Sequence, residues 1–405
     1  MNTAREAYVL TSLRTPRGKS RPDGGLAGTP PLRLVEILLR ALVERTGLDP
    51  SAVDDVVLGC AAQTGAQGGN LARTAVLTAG WPRTVPGQTV NRFCASGIDA
   101  VALASALVRS GEADLVVAGG VESVSSVPMF ADNGPLWSDA AVVEQIGSVH
   151  MGIAADVAAT EEGFEREQLD AYGAWTQRRA AQAWAEGRFH DTVVPVTDGE
   201  GAVLLARDEH VRPGVTPEDL ATLEPAFAEL GASGQDALVL RHLPELGRVR
   251  HLHTRGTSPS LADGAAVVVI GTADAAARAG LRPLARVVAS AAAGADPVRM
   301  LVAGQYAVER VLAKAALKPD HLDVVEFAEA FAALCLKIKR ELGFDDDRFN
   351  RNGGTIAMGH AFGATGAILV GSCADELARV GGRYGVAAVS GAAGLGSAVL
   401  LERAS

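Results

Sequence analysis

A single cysteine, Cys94, stands between an extended segment and a helix, in a stretch that could carry out nucleophilic chemistry. Residues 86–90 predict a strand or loop, and the apolar spacing from Ile98 to Val108 predicts a helix. A helix N-terminus stabilises a thiolate through its partial positive charge and free N–H groups, so we expect a lowered Cys94 pKa. A free cysteine is also commonly an inert buried side chain, and this stretch alone leaves both interpretations open.

A histidine near the other end of the chain, His360, is the second candidate for chemistry. It lies in the glycine-rich segment NRNGGTIAMGHAFGATGA. Glycines on both sides leave its ring accessible in a tight loop, where it could act as a base. Because His360 is far from Cys94 in sequence, the fold must bring two distant segments together for them to act on one substrate.

The predicted elements recur in two halves of the chain, and this repeat could bring the two side chains together. Residues 48–54 are echoed by residues 317–323, and each segment leads into a Val-rich strand. About 45 residues further on, each half has a reactive side chain before a Gly/Ala-rich helix, Cys94 in one and His360 in the other. The repeat predicts two similar α/β halves packed face to face, with equivalent loops meeting at the junction.

The residues between the halves have a different character and predict an inserted, partly helical unit. Residues 157–189 contain a helical pattern, and residues 191–211 predict a polar hairpin. The chain therefore divides into a first half at 1–124, completed by about 252–280, an inserted unit at 125–251 and a second half at 281–405. Four arginines of the insert could meet a polyanionic ligand or form an ordinary solvated surface: Arg212, Arg241, Arg248 and Arg250.

Composition excludes several classes of protein. A chain of 405 residues with 48% hydrophobic residues and 46 glycines is typical of a compact α/β enzyme. The net charge of -10 argues against a general nucleic-acid binder, since phosphate contacts need a basic surface. The four cysteines form no C-x-x-C pair, so we expect neither disulfides nor a metal site, and a cytoplasmic location. We expect no membrane span, because no apolar run is long and glycine-poor enough.

The motifs taken together resemble the thiolase family, and the resemblance runs nearly end to end. VNRFCASGIDAV resembles the nucleophile motif of the family, DLVVAGGVESVS its Gly-Gly-x-Glu-Ser turn, and NRNGGTIAMGHAFGATGA its histidine motif. HMGIAADVA resembles the opening of the family's loop domain, and SGAAGLGSAVLLER its final glycine-rich block. This resemblance implies a thiolase-like α/β fold, with two similar βαβαβ-type halves packed together and an inserted loop domain.

The resemblance also implies roles for particular residues. In thiolases a cysteine takes an acyl group from a thioester, which implies that Cys94 forms a covalent acyl-enzyme and that His360 takes its proton. The loop domain of the family holds coenzyme A, and His150 and Met151 match positions near the pantetheine end. Ser258 aligns loosely with the family's CoA-binding stretch. Coenzyme A thioesters are then substrates, with no permanently bound cofactor, and the protein is expected to be a homodimer or homotetramer.

Two positions depart from the family's pattern, and both belong to its carbon–carbon half-reaction. The family's second cysteine aligns with Ser390, and a serine hydroxyl is a poor base unless another group activates it. Ala328 stands where the family has an Asn or His that helps fix a water for the thioester oxygen. Phe331 ends that same motif, and Ala392 lies in the final glycine-rich block, so both are assigned to the substrate site.

The resemblance implies an acyl-CoA acyltransferase of the acetyl-CoA C-acetyltransferase type, with an acyl-cysteine intermediate and a place in fatty acid metabolism. Because of the departures at Ser390 and Ala328, two alternatives stay open. The first is a divergent acyltransferase or thioesterase without efficient Claisen chemistry. The second is a non-catalytic acyl-CoA-binding protein that kept the fold.

Overall fold

A computed structural model describes residues 5–404, and most of its strands belong to one large sheet. The strands in that range are β1 (Tyr8–Arg14), β2 (Gly18–Lys19), β3 (Asp55–Gly59), β4 (Gln88–Val90), β5 (Leu115–Ser123), β6 (Val196–Thr197), β7 (Val203–Leu205), β8 (Ala262–Gly271), β9 (Ala285–Gly294), β10 (Leu322–Phe327), β11 (Tyr384–Gly391) and β12 (Leu395–Arg403). The large sheet has the order β10-β11-β12-β9-β1-β8-β5-β3-β4, with β2 beside β8, whereas β6 and β7 form a separate hairpin.

Helices cover both faces of this sheet and build most of the inserted unit. They are α1 (Pro31–Thr46), α2 (Leu71–Thr78), α3 (Ser96–Ser110), α4 (Pro135–Ser138), α5 (Ala140–Ile146), α6 (Met151–Glu161), α7 (Arg166–Ala185), α8 (Pro217–Ala221), α9 (Ala228–Leu230), α10 (Asp236–His242), α11 (Ala273–Arg278), α12 (Ala303–Lys314), α13 (Ala332–Leu342), α14 (Thr355–Met358) and α15 (Phe362–Val380). The helix predicted within residues 157–189 corresponds to α7, and the predicted hairpin corresponds to the β6–β7 pair.

The large sheet consists of two half-sheets with the same internal order. In the first half, β3 pairs in parallel with β5, and β5, β8 and β1 follow in antiparallel pairs. In the second half, β10 pairs in parallel with β11, and β11, β12 and β9 follow in antiparallel pairs. Val325 of β10 also bridges Phe349 in parallel, in the place where β3 pairs with β4. The predicted duplication of the α/β halves is therefore confirmed.

The half-sheets enclose helices α3 and α15, which form the centre of the molecule. One apolar cluster joins side chains of both helices to residues of both half-sheets. A Cβ on Gly97 of α3 would lie 2.6 Å from the carbonyl oxygen of Gly363, so only glycine permits this approach. The halves therefore face each other across two helices. They also join edge to edge, where Tyr8 and Val9 of β1 pair with β9, a connection that the repeat did not predict.

One helical segment, Phe93–Ser110, has a mean hydropathy of 1.3 and is long enough to cross a membrane by composition. Length and composition alone are weak evidence for a span, so the expectation that no run crosses a membrane is not contradicted by this segment. The segment contains α3, and its packing between the half-sheets is that of a core helix, which passes the same test. The residue ranges of the three predicted parts stay a prediction, and their outermost residues, 1–4 and 405, fall outside the described range.

Candidate active site

Cys94 lies in the turn that leads from β4 into α3, two residues before the helix begins. Ser96 fixes this turn, since its hydroxyl accepts the Arg92 N–H at 2.8 Å and donates to the Phe93 carbonyl oxygen at 2.6 Å. Phe93 has a φ of 48°, in the left-handed region that bulky residues rarely adopt. The turn buries the Cys94 side chain, as expected for a residue at the start of a core helix.

The pKa of Cys94 is raised to about 12, so the lowering expected from its position at a helix start is wrong. Burial is the largest cause, because it penalises the charged thiolate, and the nearby Glu122 carboxylate adds to it. The backbone N–H groups of Cys94 and Ala392 oppose this rise but do not outweigh it. Cys94 is therefore a thiol near neutral pH and needs a base when it attacks a substrate.

His360 lies two residues before α15, and its backbone is hydrogen-bonded to the segment where β8 begins. Its N–H donates to the Ser260 carbonyl at 2.7 Å, and its carbonyl accepts the Ala262 N–H at 3.2 Å. Ring atom Nδ1 lies 2.8 Å from the Thr365 hydroxyl. Burial lowers the His360 pKa to about 3, and the positive charge of Arg17 contributes. The ring is therefore neutral near pH 7 and can accept a proton.

A cavity of about 200 Å³ brings together most of the site residues that the sequence predicted. We call it the catalytic cavity. The predicted residues on its wall are Cys94, His360, Ser390, His150, Met151, Ser258 and Phe331. Ala392 lines a neighbouring cavity that also contacts Cys94. The structure does not bring Ala328 to either wall, because its side chain packs in the core between the half-sheets and its N–H donates to the Ala388 carbonyl.

Ser390, the position of the family's second cysteine, is tied to the backbone of a neighbouring segment. Its hydroxyl donates to the Leu301 carbonyl at 2.5 Å and accepts the Gly304 N–H at 3.0 Å. Gly304 lies in the first turn of α12, where helix N–H groups lack partners within the helix. Neither partner is a base, so neither activates the hydroxyl for proton transfer.

A buried carboxylate in the Gly-Gly-x-Glu-Ser turn fastens the loops around Cys94 and His360. Glu122 accepts the N–H groups of Ala61 at 2.9 Å and Ala62 at 3.2 Å, both in the loop after β3. It also accepts the Gly363 N–H at 2.9 Å, three residues beyond His360. Sequence reasoning quoted Glu122 within a motif without giving it a role. The available signal was a single acid at the end of an otherwise apolar strand.

Glu329 is a second buried acid, and its hydrogen bonds link the inserted unit to the second half. Its carboxylate accepts the Tyr172 and Thr176 hydroxyls of α7, each at 2.8 Å. It also accepts the Ile356 N–H at 3.0 Å and the Asn350 side-chain amide at 3.2 Å. The segment of residues 350–360, which we call the histidine loop, and the inserted unit are thus both bound by Glu329. This acid lies two residues before Phe331, which is on the wall of the catalytic cavity.

A buried ion pair between Asp208 and two arginines, which the sequence did not reveal, supports the histidine loop. Asp208 accepts two hydrogen bonds from Arg14, at 2.8 and 2.9 Å, and also binds the Arg17 guanidinium. Arg17 donates in turn to the Gly359 carbonyl at 3.2 Å, directly before His360. Because Arg17 is bound to the backbone next to His360, its charge stays close to the imidazole.

Two of the four candidate arginines of the inserted unit, Arg241 and Arg250, favour the interpretation as solvated surface. Arg241 binds Glu144 at 2.6 Å, and Arg250 pairs with Glu165. Both pairs are exposed, and each arginine has a carboxylate of its own insert as partner. Within residues 5–404, no group of three or more His, Cys, Asp or Glu side chains is placed to hold a metal ion.

The catalytic cavity has the features of a small-molecule site, with apolar walls and a few polar atoms. The Ser258 hydroxyl is buried on its wall and finds no hydrogen-bond partner among residues 5–404. Buried polar atoms without a partner are rare and costly in folded proteins. This hydroxyl is therefore available to a bound ligand.

Family models agree with this architecture and site. The model of the thiolase N-terminal domain matches residues 7–234, and the model of the thiolase C-terminal domain matches residues 281–403. These matches cover well over half of the chain, and they carry both the duplicated fold and the segments of Cys94 and His360. The chain belongs to the thiolase family, as the motifs predicted.

Full-length relatives define the activity more narrowly. The beta-ketoadipyl-CoA thiolase of Pseudomonas aeruginosa is 38% identical over 421 aligned residues, covering 99% of this chain and all of that protein. The 3-oxoadipyl-CoA/3-oxo-5,6-dehydrosuberyl-CoA thiolase of Escherichia coli strain K12 is 36% identical, and an acetyl-CoA acetyltransferase of Pseudomonas aeruginosa is 37% identical, each over 98% of the chain. The chain is an acyl-CoA acyltransferase, and these relatives do not favour the two alternatives.

Proposed function

We propose that Cys94 takes the acyl group of an acyl-CoA and that His360 takes the thiol proton. The supporting observation is that the two side chains, 266 positions apart in the printed sequence, line one cavity with opposite pKa shifts. With the Cys94 pKa raised to about 12 and the His360 pKa lowered to about 3, the resting pair is uncharged. The proton therefore moves as the sulfur attacks, when the developing charge passes to the substrate.

The imidazole tautomer fits this role. With its proton on Nδ1, His360 donates to the Thr365 hydroxyl, and Nε2 carries the lone pair that accepts the Cys94 proton. The sulfur–carbon bond forms, and the thioester oxygen becomes an oxyanion. The N–H groups of Cys94 and Ala392 lie beside the sulfur and are donors available to that oxyanion. Collapse breaks the bond to the CoA sulfur, which takes the proton from His360 and leaves as free CoA.

We assign the catalytic cavity to the pantetheine arm and the inserted unit to coenzyme A binding. The Ser258 hydroxyl offers a hydrogen bond that no described residue uses. His150, Met151 and Phe331 line the same space, and His150 is uncharged because burial lowers its pKa. A neutral, mostly apolar channel suits the pantetheine arm, which carries two amides and no charge.

The proposal includes a homodimer or homotetramer in a reducing cytoplasm. Strand β4 forms one edge of the large sheet, and edge strands expose backbone groups that a second copy can cover. The four cysteines are free and buried, which fits a reducing compartment. The expected place in fatty acid metabolism also remains part of the proposal, supported by the apolar walls of the cavity. A monomer mass by light scattering at micromolar concentration would contradict the oligomer.

Acyl transfer to Cys94 can be measured directly. The protein is mixed with acetyl-CoA and longer acyl-CoAs, and intact mass with peptide mapping shows whether Cys94 gains the acyl group. Free CoA should appear in equal amount, since one CoA leaves for each acyl group transferred. A Cys94→Ala variant serves as the control for modification at other residues. An unmodified Cys94 with every acyl-CoA would contradict the proposal.

A further inference from the structure

The walls beside Cys94 determine which substrates fit, because the acyl tail of the substrate stays attached to this residue during the reaction. If Cys94 attacks the keto carbonyl of a 3-ketoacyl-CoA, the bond between carbons 2 and 3 breaks, and the fragment bearing CoA is protonated and leaves as acetyl-CoA. The remainder of the chain stays on Cys94 as a thioester and then passes to a new CoA. The relatives named for beta-ketoadipyl-CoA act on a compound whose chain ends in a carboxylate. That carboxylate would lie wherever the acyl tail lies.

A second cavity, which we call the acyl cavity, opens on Cys94 away from the other catalytic groups. It has a volume of about 40 Å³, and neither His360 nor Ser390 lines it. It shares Cys94, Met129, Met151 and Phe362 with the catalytic cavity, so an acyl group on the sulfur can extend from one space into the other. Since the catalytic cavity is assigned to pantetheine, the acyl cavity is the space left for the tail.

Aromatic rings form much of the acyl cavity. The Trp137 ring lies 5.6 Å from the Phe93 ring and 4.9 Å from the Phe130 ring, measured between centroids. Phe93 and Phe130 have φ values of 48° and 70°, in the left-handed region. Two bulky residues in this region hold backbone strain, which proteins retain mainly at functional sites. Aromatics make up only 4% of the chain, so this concentration does not follow from general composition.

Charge in the acyl cavity opposes a terminal carboxylate. Among the described residues that line it, Asp132 is the only ionisable side chain apart from the Cys94 thiol, and its carboxylate accepts the Trp137 indole N–H at 3.1 Å. Arg92 is close in sequence, but it pairs with Asp99 and lines a separate groove. A carboxylate placed here would lose water, meet apolar rings and face a like charge at the entrance.

We propose that the acyl group carried by Cys94 has an apolar alkyl or aryl tail, and that Asp132 disfavours tails that end in a carboxylate. This inference rests on the proposed acylation of Cys94, and it narrows the substrate class within that function. It separates this chain from the relatives named for beta-ketoadipyl-CoA, despite their similarity over the full length.

Two acyl-CoAs of matched shape test the inference. Succinyl-CoA and 4-methylpentanoyl-CoA differ at the tail end, where a carboxylate replaces an isopropyl group of similar size. We measure the rate at which each acylates Cys94, with acetyl-CoA as the reference for acylation itself. The 4-methylpentanoyl group should transfer about tenfold faster or more, since the carboxylate finds no cation in the cavity.

Two variants test whether Asp132 contributes to the preference for an apolar tail. Asp132→Asn keeps an oxygen acceptor for the Trp137 indole and removes the charge, so the ratio of succinyl to 4-methylpentanoyl transfer should rise a few-fold. The rise is modest because Asp132 is exposed at the entrance and water screens it. Asp139→Asn is the matched control, because Asp139 caps α5 in the same segment and lines neither cavity. Its ratio should equal that of the wild type.

The outcomes separate the two proposals. Slow succinyl transfer that speeds up in Asp132→Asn, but not in Asp139→Asn, supports the inference. Succinyl transfer as fast as 4-methylpentanoyl transfer would overturn it, while leaving acylation of Cys94 intact. A ratio that does not change in Asp132→Asn would overturn the role of Asp132. If acetyl-CoA also fails to acylate Cys94, the proposed function fails, and the inference fails with it.

Discussion

Two sides of the catalytic cavity bury their reactive side chains equally but give them opposite surroundings. Cys94, His360 and Ser390 are 5%, 4% and 2% exposed, so burial does not distinguish them. The Cys94 sulfur has backbone N–H donors beside it and shares the cavity with the neutral His360 imidazole, whereas the Ser390 hydroxyl donates to one backbone carbonyl and accepts one backbone N–H. In the proposed mechanism the Cys94 side moves a proton, whereas the Ser390 hydroxyl holds two segments together.

This difference indicates which half-reaction the site supports. Acyl transfer needs a nucleophile, a base and donors for an oxyanion, and in the proposed mechanism Cys94, His360 and the N–H groups of Cys94 and Ala392 fill these roles. Carbon–carbon bond formation also needs a group that moves a proton at the substrate's α-carbon. The hydroxyl that occupies that position links the end of β11 to the start of α12. We therefore expect acylation to be faster than the carbon–carbon step.

The largest effect is expected from Cys94→Ser. The serine fits the same turn, but its hydroxyl is a far weaker acid than a thiol, and a neutral imidazole removes its proton poorly. Acyl transfer should fall by roughly 10⁴-fold or more, as for other enzymes that lose their nucleophile. Release of CoA from acetyl-CoA measures the rate, and thermal unfolding checks that the variant is folded. Acyl transfer within tenfold of the wild type would assign the nucleophile elsewhere.

The next largest effect is expected from His360→Asn, which should slow acylation by about 10²–10⁴-fold because it removes the general base. The pH profile of the wild type adds an independent check. Because the His360 pKa is lowered to about 3, the imidazole stays neutral and able to accept a proton from pH 8 down to pH 5. Acylation should therefore stay level over that range. A fall below about pH 6.5 would show a histidine with an ordinary pKa instead.

Local patterns in the sequence predicted much of the fold and the meeting of the two reactive side chains. The apolar spacing from Ile98 to Val108 predicted most of α3, and that helix ends where Gly111 takes a φ of 86°. The echo between residues 48–54 and 317–323 predicted the duplicated half-sheets. Duplication in turn predicted that Cys94 and His360 meet, since equivalent loops lie at one junction.

Features that depend on contacts between distant segments could not be predicted in this way. The raised Cys94 pKa follows from burial and from Glu122 on β5, and neither shows in the residues around Cys94. The pKa lowering expected from the helix start is wrong because burial destabilises the thiolate by more than the N–H groups stabilise it. The acyl cavity was missed for a similar reason. Its rings come from segments that are far apart in the chain, since Phe93 precedes α3, Trp137 lies in α4 and Phe362 begins α15. Trp137 reaches Phe93 only in the folded chain.

A smaller effect, opposite in sign, is expected on the carbon–carbon side. Ser390→Cys supplies a group that ionises more readily, at the N-terminus of α12, where the Gly304 N–H can stabilise a thiolate. Thiolysis of acetoacetyl-CoA should rise by about tenfold or more, with Cys94 acylation little affected. Ala328→Asn should add less, because residue 328 packs in the core and a buried amide costs about 1–3 kcal/mol of stability if unpaired. Wild-type thiolysis at the rate of acylation would contradict this view of Ser390.

The smallest effect is expected from Ser390→Ala, and it tests the comparison most directly. If the hydroxyl only links Leu301 to Gly304, its removal leaves the rate of Cys94 acylation within about twofold of the wild type. The cost then falls on stability, because one carbonyl and one N–H lose their partner, at about 1–3 kcal/mol. Thermal unfolding measures that cost, and CoA release from acetyl-CoA measures acylation. A tenfold loss of acylation with unchanged stability would reverse the assignment, because Ser390 would then act on the acyl group rather than on the fold.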